Sequence, residues 1–328
     1  MAADDVDAWL LATDPALRWQ VERDLLGAPP QQWQATRRRV VLEGFGARLL
    51  GLQGEDGMWA GGAYFPGGFF EDPANQDLPG QPWTATTWSL TALREWGADP
   101  APLQENGTVE RLARTARWEY DDLPYWGGEV DCCINAMTLA NGLWLGAEVG
   151  AIADWFVEHQ LEDGGWNCDW VEGAERSSFH STVNALGGLL ALEETTGGTA
   201  ATRAARRRGE EYLLRRRLHR RLSTGESVGP FVDRFRYPFR WAYSVLRALE
   251  HLRRASALDG TRPDARAAEA VEMVRAARQA DGTWLQGPVL PGAVWFEVDV
   301  PEGEPSPWLT LHARRVLDWW EAGTGRRR

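Results

Sequence analysis

Residue types that bind metal ions open two apolar helical runs in this chain. Glu129 to Trp144 (EVDCCINAMTLANGLW) begins with Asp131, Cys132 and Cys133, and Ser177 to Leu192 (SSFHSTVNALGGLLAL) begins with His180. In both, the apolar spacing places the polar residues in the first helical turn. A carboxylate, a thiolate and an imidazole are donors that zinc accepts while keeping a fourth position open. The expected metal ligands are therefore Asp131, Cys133 and His180, and the expected cofactor is Zn2+. Cys132 lies about 100° round the helix from Cys133 and is expected to face elsewhere. Cys168, in GWNCDW, reads as a packed turn residue, with replacement of Cys133 as its alternative role. Zinc at such a site lowers the pKa of a bound thiol or water, so the chemistry would be attack on an electrophile.

Composition narrows the field. The net charge of -12 argues against nucleic acid or an anionic membrane surface as partner. All 35 basic residues are arginine, which excludes lysine Schiff bases, pyridoxal phosphate and the phosphate-loop lysine, so no nucleotide or pyridoxal cofactor is expected. Three cysteines make no disulfide framework, and the start MAADDVDAW has no basic region followed by an apolar one. Apolar runs fall short of the roughly 18 residues of a spanning helix. The resulting expectation is a cytoplasmic protein without a transmembrane segment. Nineteen tryptophans imply an aromatic cavity, a repeated Trp motif, or both.

The elements that must position the candidate ligands come from a repeat. QGEDGMW (Gln53 to Trp59), QLEDGGW (Gln160 to Trp166) and QADGTW (Gln279 to Trp284) share Gln, Asp-Gly and Trp, each after a helix-periodic stretch. Such recurrence indicates stacked helix hairpins. One set of helices is charged along a face: 5–12, 34–53, 109–118, 151–160, 203–218 and 264–279. The other set is smaller in residue size and more aromatic: 15–26, 84–96, 131–145, 179–193, 239–252 and 308–320. The expected fold is all-α, an (α/α)6 toroid of six outer and six inner helices, spanning 1–322 as one domain with a disordered tail at 323–328.

In that arrangement the inner helices open on one concave mouth. Arg18, Trp83, Arg240, Trp241 and Trp308 are the expected substrate-binding residues there, and Tyr243 an expected proton donor. Arg18 and Arg240 oppose the helix dipole at those starts, which fits pairing with a carboxylate or a ligand anion. The long Gly- and Pro-rich loops at 60–82 and 285–307 are expected to form a rim, with Phe65, Phe69, Phe70, Trp295 and Phe296 either closing it or stapling the loops.

These repeats resemble the QW-type repeats of squalene-hopene cyclases and other triterpene cyclases, and the toroid of protein prenyltransferase β subunits. VDCCINAMTLANGL and FHSTVNALGGL are similar to the two zinc-binding elements of those β subunits. The resemblance implies a transferase in which Asp131, Cys133 and His180 hold the ion. Where that family grips a diphosphate, this chain has Tyr125, Gly128 and Ile134, and no α subunit is implied. The cyclase resemblance implies instead a metal-free class II enzyme: EVDC stands where the Asp-x-Asp-Asp acid motif would be, with Asp131 as general acid and Cys132 replacing the next Asp. A toroid that only binds a small molecule or peptide is the third reading.

Overall fold

The computed structural model describes residues 3–325 and is all-helical; β structure among the described residues is confined to isolated bridges. In chain order the helices are α1 (Ala3–Leu11), α2 (Pro15–Asp24), α3 (Pro30–Arg38), α4 (Gly44–Leu50), α5 (Thr86–Glu95), α6 (Ala101–Glu105), α7 (Thr108–Thr115), α8 (Cys132–Leu145), α9 (Gly150–Glu158), α10 (Phe179–Thr196), α11 (Ala200–Arg215), α12 (Val245–Asp259), α13 (Ala268–Ala276) and α14 (Pro307–Thr324). Among the described residues no helix is long and apolar enough to cross a membrane.

The Trp repeat acts as the corner between a charged helix and the smaller-residue helix that follows. Trp59, Trp166 and Trp284 are all but fully buried. Each indole N–H donates to a carbonyl ten residues earlier: Leu49 at 2.8 Å, Phe156 at 2.9 Å and Val274 at 2.8 Å. Each Trp amide donates at 3.1 Å to a threonine hydroxyl in the first turns of the next core helix, from Thr86, Thr182 and Thr310. One residue thus caps a helix end, fills the space above it and fixes the start of the next helix. The repeat's Gln53 and Gln160 close their own turns by donating to the Gly57 and Gly164 carbonyls.

Helices α8 and α10 are lined with small residues and pack intimately; a Cβ at Gly188 would meet the Ala136 backbone at 2.9 Å. Further contacts run α5 to α8, α10 to α12, α12 to α14 and α14 to α2. Between α2 and α5 the indole of Trp19 donates to the Trp96 carbonyl at 2.8 Å, and Gln20 to the Glu95 carbonyl. All six border one cavity of about 520 Å³, reached for instance by Trp19, Thr91, Met137, Gly188, His251 and Trp308. The charged helices pack outside them, α1 on α2, α4 on α5, α9 on α8, α11 on α10 and α13 on α12 and α14.

Four boundaries differ from the sequence reading. The expected helix 34–53 is two helices, parted where Gly44 takes a φ of 66° beside Asp14. The expected helix 239–252 begins only at Val245, because Pro238 and the left-handed Arg240 (φ 52°) hold the preceding segment as a turn and Ser244 caps the helix. The short α6 was not expected. Residues 323 and 324, expected in the tail, continue α14, and 326–328 lie outside the described residues.

Candidate metal centre and cavity

At the start of α8 and in the turn before α10, three thiols converge. The Sγ atoms of Cys132, Cys133 and Cys168 lie within 4.8 Å of one another, with Cys168 at 3.4 Å from Cys132 and 3.2 Å from Cys133. None is in a disulfide, whose sulfurs stand about 2.05 Å apart. A tetrahedral ion with zinc–sulfur bonds of about 2.3 Å would space its sulfurs about 3.8 Å apart, so a small adjustment brings all three onto one ion. Three convergent thiols suit a soft or borderline metal, and this donor set could bind one.

Local chemistry fixes the geometry. Asp131 is the N-terminal flanking residue of α8, with extended backbone. Asn135, one turn in, accepts from the Glu129 amide at 2.7 Å and donates to the Glu129 carbonyl at 2.6 Å, strapping the incoming chain. Asn167 and Ser181 hold the Cys168 turn: the Asn167 side chain accepts from Asp169, and the Ser181 hydroxyl accepts from the Cys168 amide at 3.1 Å. Trp170 joins the two parts by donating to the Val130 carbonyl at 2.8 Å.

Inside the cluster the protons are unevenly held. Hydrogen bonds shared with the thiols of Cys132 and Cys133 hold Cys168 well below the usual cysteine range. Burial, with its neighbouring thiols, pushes Cys132 up. Cys133 also rises: the Cys132 thiol acts downward on it, but Cys168 and burial prevail. Asp131 is pushed up to about 8, by burial first and then by Cys168 and Glu129.

The expected ligand set therefore changes. Cys133 belongs to the cluster. Cys132 does too, against the expectation that it faces away: at the first two positions of α8 both short side chains can lean toward a third sulfur from another element. Cys168 is the central thiol rather than a packed turn residue. Asp131 stands beside Cys168 but outside the three-sulfur group. His180 leaves the set, since its Nδ1 accepts the Tyr243 amide at 2.9 Å. Burial, aided by Arg247 and Arg236, lowers its pKa to about 4, so it is neutral with its proton on Nε2, a donor rather than a ligand.

The remaining expected residues divide. Tyr243 is a core aromatic whose hydroxyl donates to the Leu218 carbonyl at 2.6 Å, which removes it as a proton donor to the cavity. Arg18 pairs with the fully buried Glu22 at 2.9 Å and does not border the cavity. Trp241 lies edge-on to His180, its ring centroid 5.4 Å away, and likewise stays out of the cavity wall. Trp308 does border it, stacked on Tyr237 at 4.3 Å, as does Arg240, whose guanidinium lies over the ring of Trp83 at 4.9 Å. Trp83 itself ties the two long loops together by donating to the Pro291 carbonyl, and Trp295 donates to the Thr84 carbonyl. Trp295 thus staples its loop to the start of α5, while Phe65, Phe69 and Phe70 cluster on each other.

No protein-family model and no curated protein matches this chain.

Proposed function

We propose that the protein is a zinc-dependent enzyme built on an (α/α)6 toroid of the terpenoid cyclase and protein prenyltransferase kind, with Cys132, Cys133 and Cys168 as the metal ligands. The toroid reading is supported by six helices bordering one cavity, a charged helix outside most of them, and the same Trp corner at three junctions. The observation that carries the metal reading is the convergence of three unbonded thiols one helical turn from the cavity-bordering Ala136 and Met137. Zinc, when bound, would supply a Lewis acid that acidifies a thiol or water for attack on an electrophile.

The chain's own residues prepare that position. Asn135 and Trp170 hold the two cysteine-bearing segments in register. Asp131 keeps a carboxyl beside Cys168, and His180 offers an N–H fixed in direction by the Tyr243 amide. Burial of Cys132 and Cys133 limits water at the sulfurs.

Metal analysis of protein purified without chelator tests the proposal. About one zinc per chain is expected, falling at least tenfold in Cys133→Ser and in Cys168→Ser and unchanged in His180→Ala. Metal-free protein that cyclises polyprenyl substrates, and loses this with Asp131→Asn, would replace the proposal with the acid-catalysed cyclase. Protein with neither metal nor turnover would leave a binding toroid.

A further inference from the structure

The cavity between the six helices is strongly basic, although the chain as a whole carries a charge of -12. Eight arginines and three glutamates border it. Four of those arginines are matched: Arg23 and Arg315 lean on Asp24, Arg253 on Glu250 and Arg254 on Glu194. Arg37 donates to the Gly97 carbonyl.

Arg94, Arg240 and Arg247 are different. Arg247 donates to the Asn184 side chain at 2.7 Å and to the Ala242 carbonyl at 2.9 Å, and among the described residues no ion pair reaches it. Arg94 donates to Asn141 at 3.0 Å, its nearest carboxylate being Glu95 at 3.7 Å. Arg240 makes no ion pair among the described residues, and its guanidinium lies over the faces of Trp83 and Trp88, at 4.9 and 5.9 Å. Glu95 is the carboxylate that all three feel, and its own side chain is 45% exposed. Arg94 also feels Glu194, which Arg254 pairs with, and Arg240 also feels Glu297, yet within the described residues the one ion pair of the three is that of Arg94 with Glu95. Burial acts on each to lower its pKa, the physical mark of a cation short of counter-charge. Two further nitrogens on cavity-bordering residues, Arg315 Nε and His251 Nδ1, are buried without a hydrogen-bond partner.

Uncompensated buried charge is costly, and a protein retains it where something else supplies the opposite charge. We infer that this cavity is a binding site for a small oxyanion carrying two or more negative charges, gripped by Arg94, Arg240 and Arg247. Guanidinium forks suit the paired oxygens of phosphate and carboxylate groups alike, and the volume suits a small-molecule ligand. The inference goes beyond the metal reading: the hydrogen bonds of Arg94 and Arg247 reach no cysteine, Arg247 feeling Cys133 only through its charge, and it is tested on metal-free protein.

The experiment is a thermal-shift and calorimetric titration of the full chain, stripped with a chelator then dialysed. Citrate, inorganic phosphate and acetate are compared at constant ionic strength. Citrate or phosphate should raise the unfolding midpoint in a saturable way while acetate does not, and whichever binds more tightly identifies a carboxylate or a phosphate head group. Arg240→Gln should weaken that binding at least tenfold, whereas Arg39→Gln, which breaks an exposed pair with Glu43, should leave it unchanged. Citrate and phosphate behaving like acetate would overturn the inference, and so would full affinity in Arg240→Gln. If circular dichroism shows that variant unfolded, the wild-type contrast with acetate decides alone.

Discussion

Two regions of this molecule bury arginine in opposite ways. Where α10, α11 and α12 meet, the completely buried Arg206 is held by three carboxylates, Glu193 at 2.6 Å, Glu210 at 2.7 Å and Asp259 at 2.9 Å. In the central cavity Arg94, Arg240 and Arg247 have among them one ion pair within the described residues, that of Arg94 with Glu95 at 3.7 Å. The first arrangement is complete in itself: every charge-bearing direction of the guanidinium is met, despite the desolvation its burial imposes. The second is incomplete without a visitor. A buried arginine is therefore no sign of a site until its counter-charges are counted.

The comparison breaks most visibly in unfolding experiments. Arg206→Met should destabilise by about 3–5 kcal/mol, because three carboxylates lose their cation together. Arg240→Met should stay within about 1 kcal/mol of wild type in ligand-free protein, since it removes a cation with no ion pair. Urea denaturation measures both; equal losses would erase the distinction.

The Trp corners sharpen the contrast from the structural side. Trp59→Phe, Trp166→Phe and Trp284→Phe each remove the indole hydrogen bond to a helix-end carbonyl and should each cost about 1–3 kcal/mol. Similar losses at all three are expected in thermal unfolding, with metal content unaffected.

The smallest effect is a pH dependence whose sign differs between sites. Salt bridges and hydrogen bonds to Arg206, with His251 at Glu210, outweigh burial and lower the pKa of Glu210 and Asp259. Their contribution is present above the unfolded carboxylate values and is lost as pH falls through the lowered ones. Asp299 has no arginine partner, and burial pushes it up to about 6 despite a hydrogen bond from Ser306. Its folded form takes up a proton first, so its contribution is most favourable below about pH 4 and is lost as pH rises through 6. Asp299→Asn should flatten stability between pH 4 and 6 and leave the acid limb in place.

Much of the helical order was legible because apolar spacing and the Gln/Asp-Gly/Trp corners are local signals: α2, α5, α8, α10 and α14 begin within two residues of expectation. The start of α12 was not, because Phe239 to Tyr243 continue the apolar pattern while the backbone is held in a turn. Asp131 and Cys133 were found at the correct helix start. Cys132 and Cys168 were misjudged because ideal helical angles describe neither a first turn nor a sulfur arriving from another loop. Of the cavity arginines, Arg240 carried a signal, since a cation at an expected helix start fits a ligand anion. Arg94 and Arg247 carried none: each reads as an ordinary helix-face charge, and only the helix packing brings Arg94, far away in the chain, to the same cavity as Arg240 and Arg247.

Zinc K-edge absorption of zinc-loaded protein tests the central claim most directly. The account predicts a first shell with three sulfurs at about 2.3 Å, dropping to two in Cys168→Ser. A shell dominated by nitrogen and oxygen, or one unchanged by removing Cys168, would contradict it.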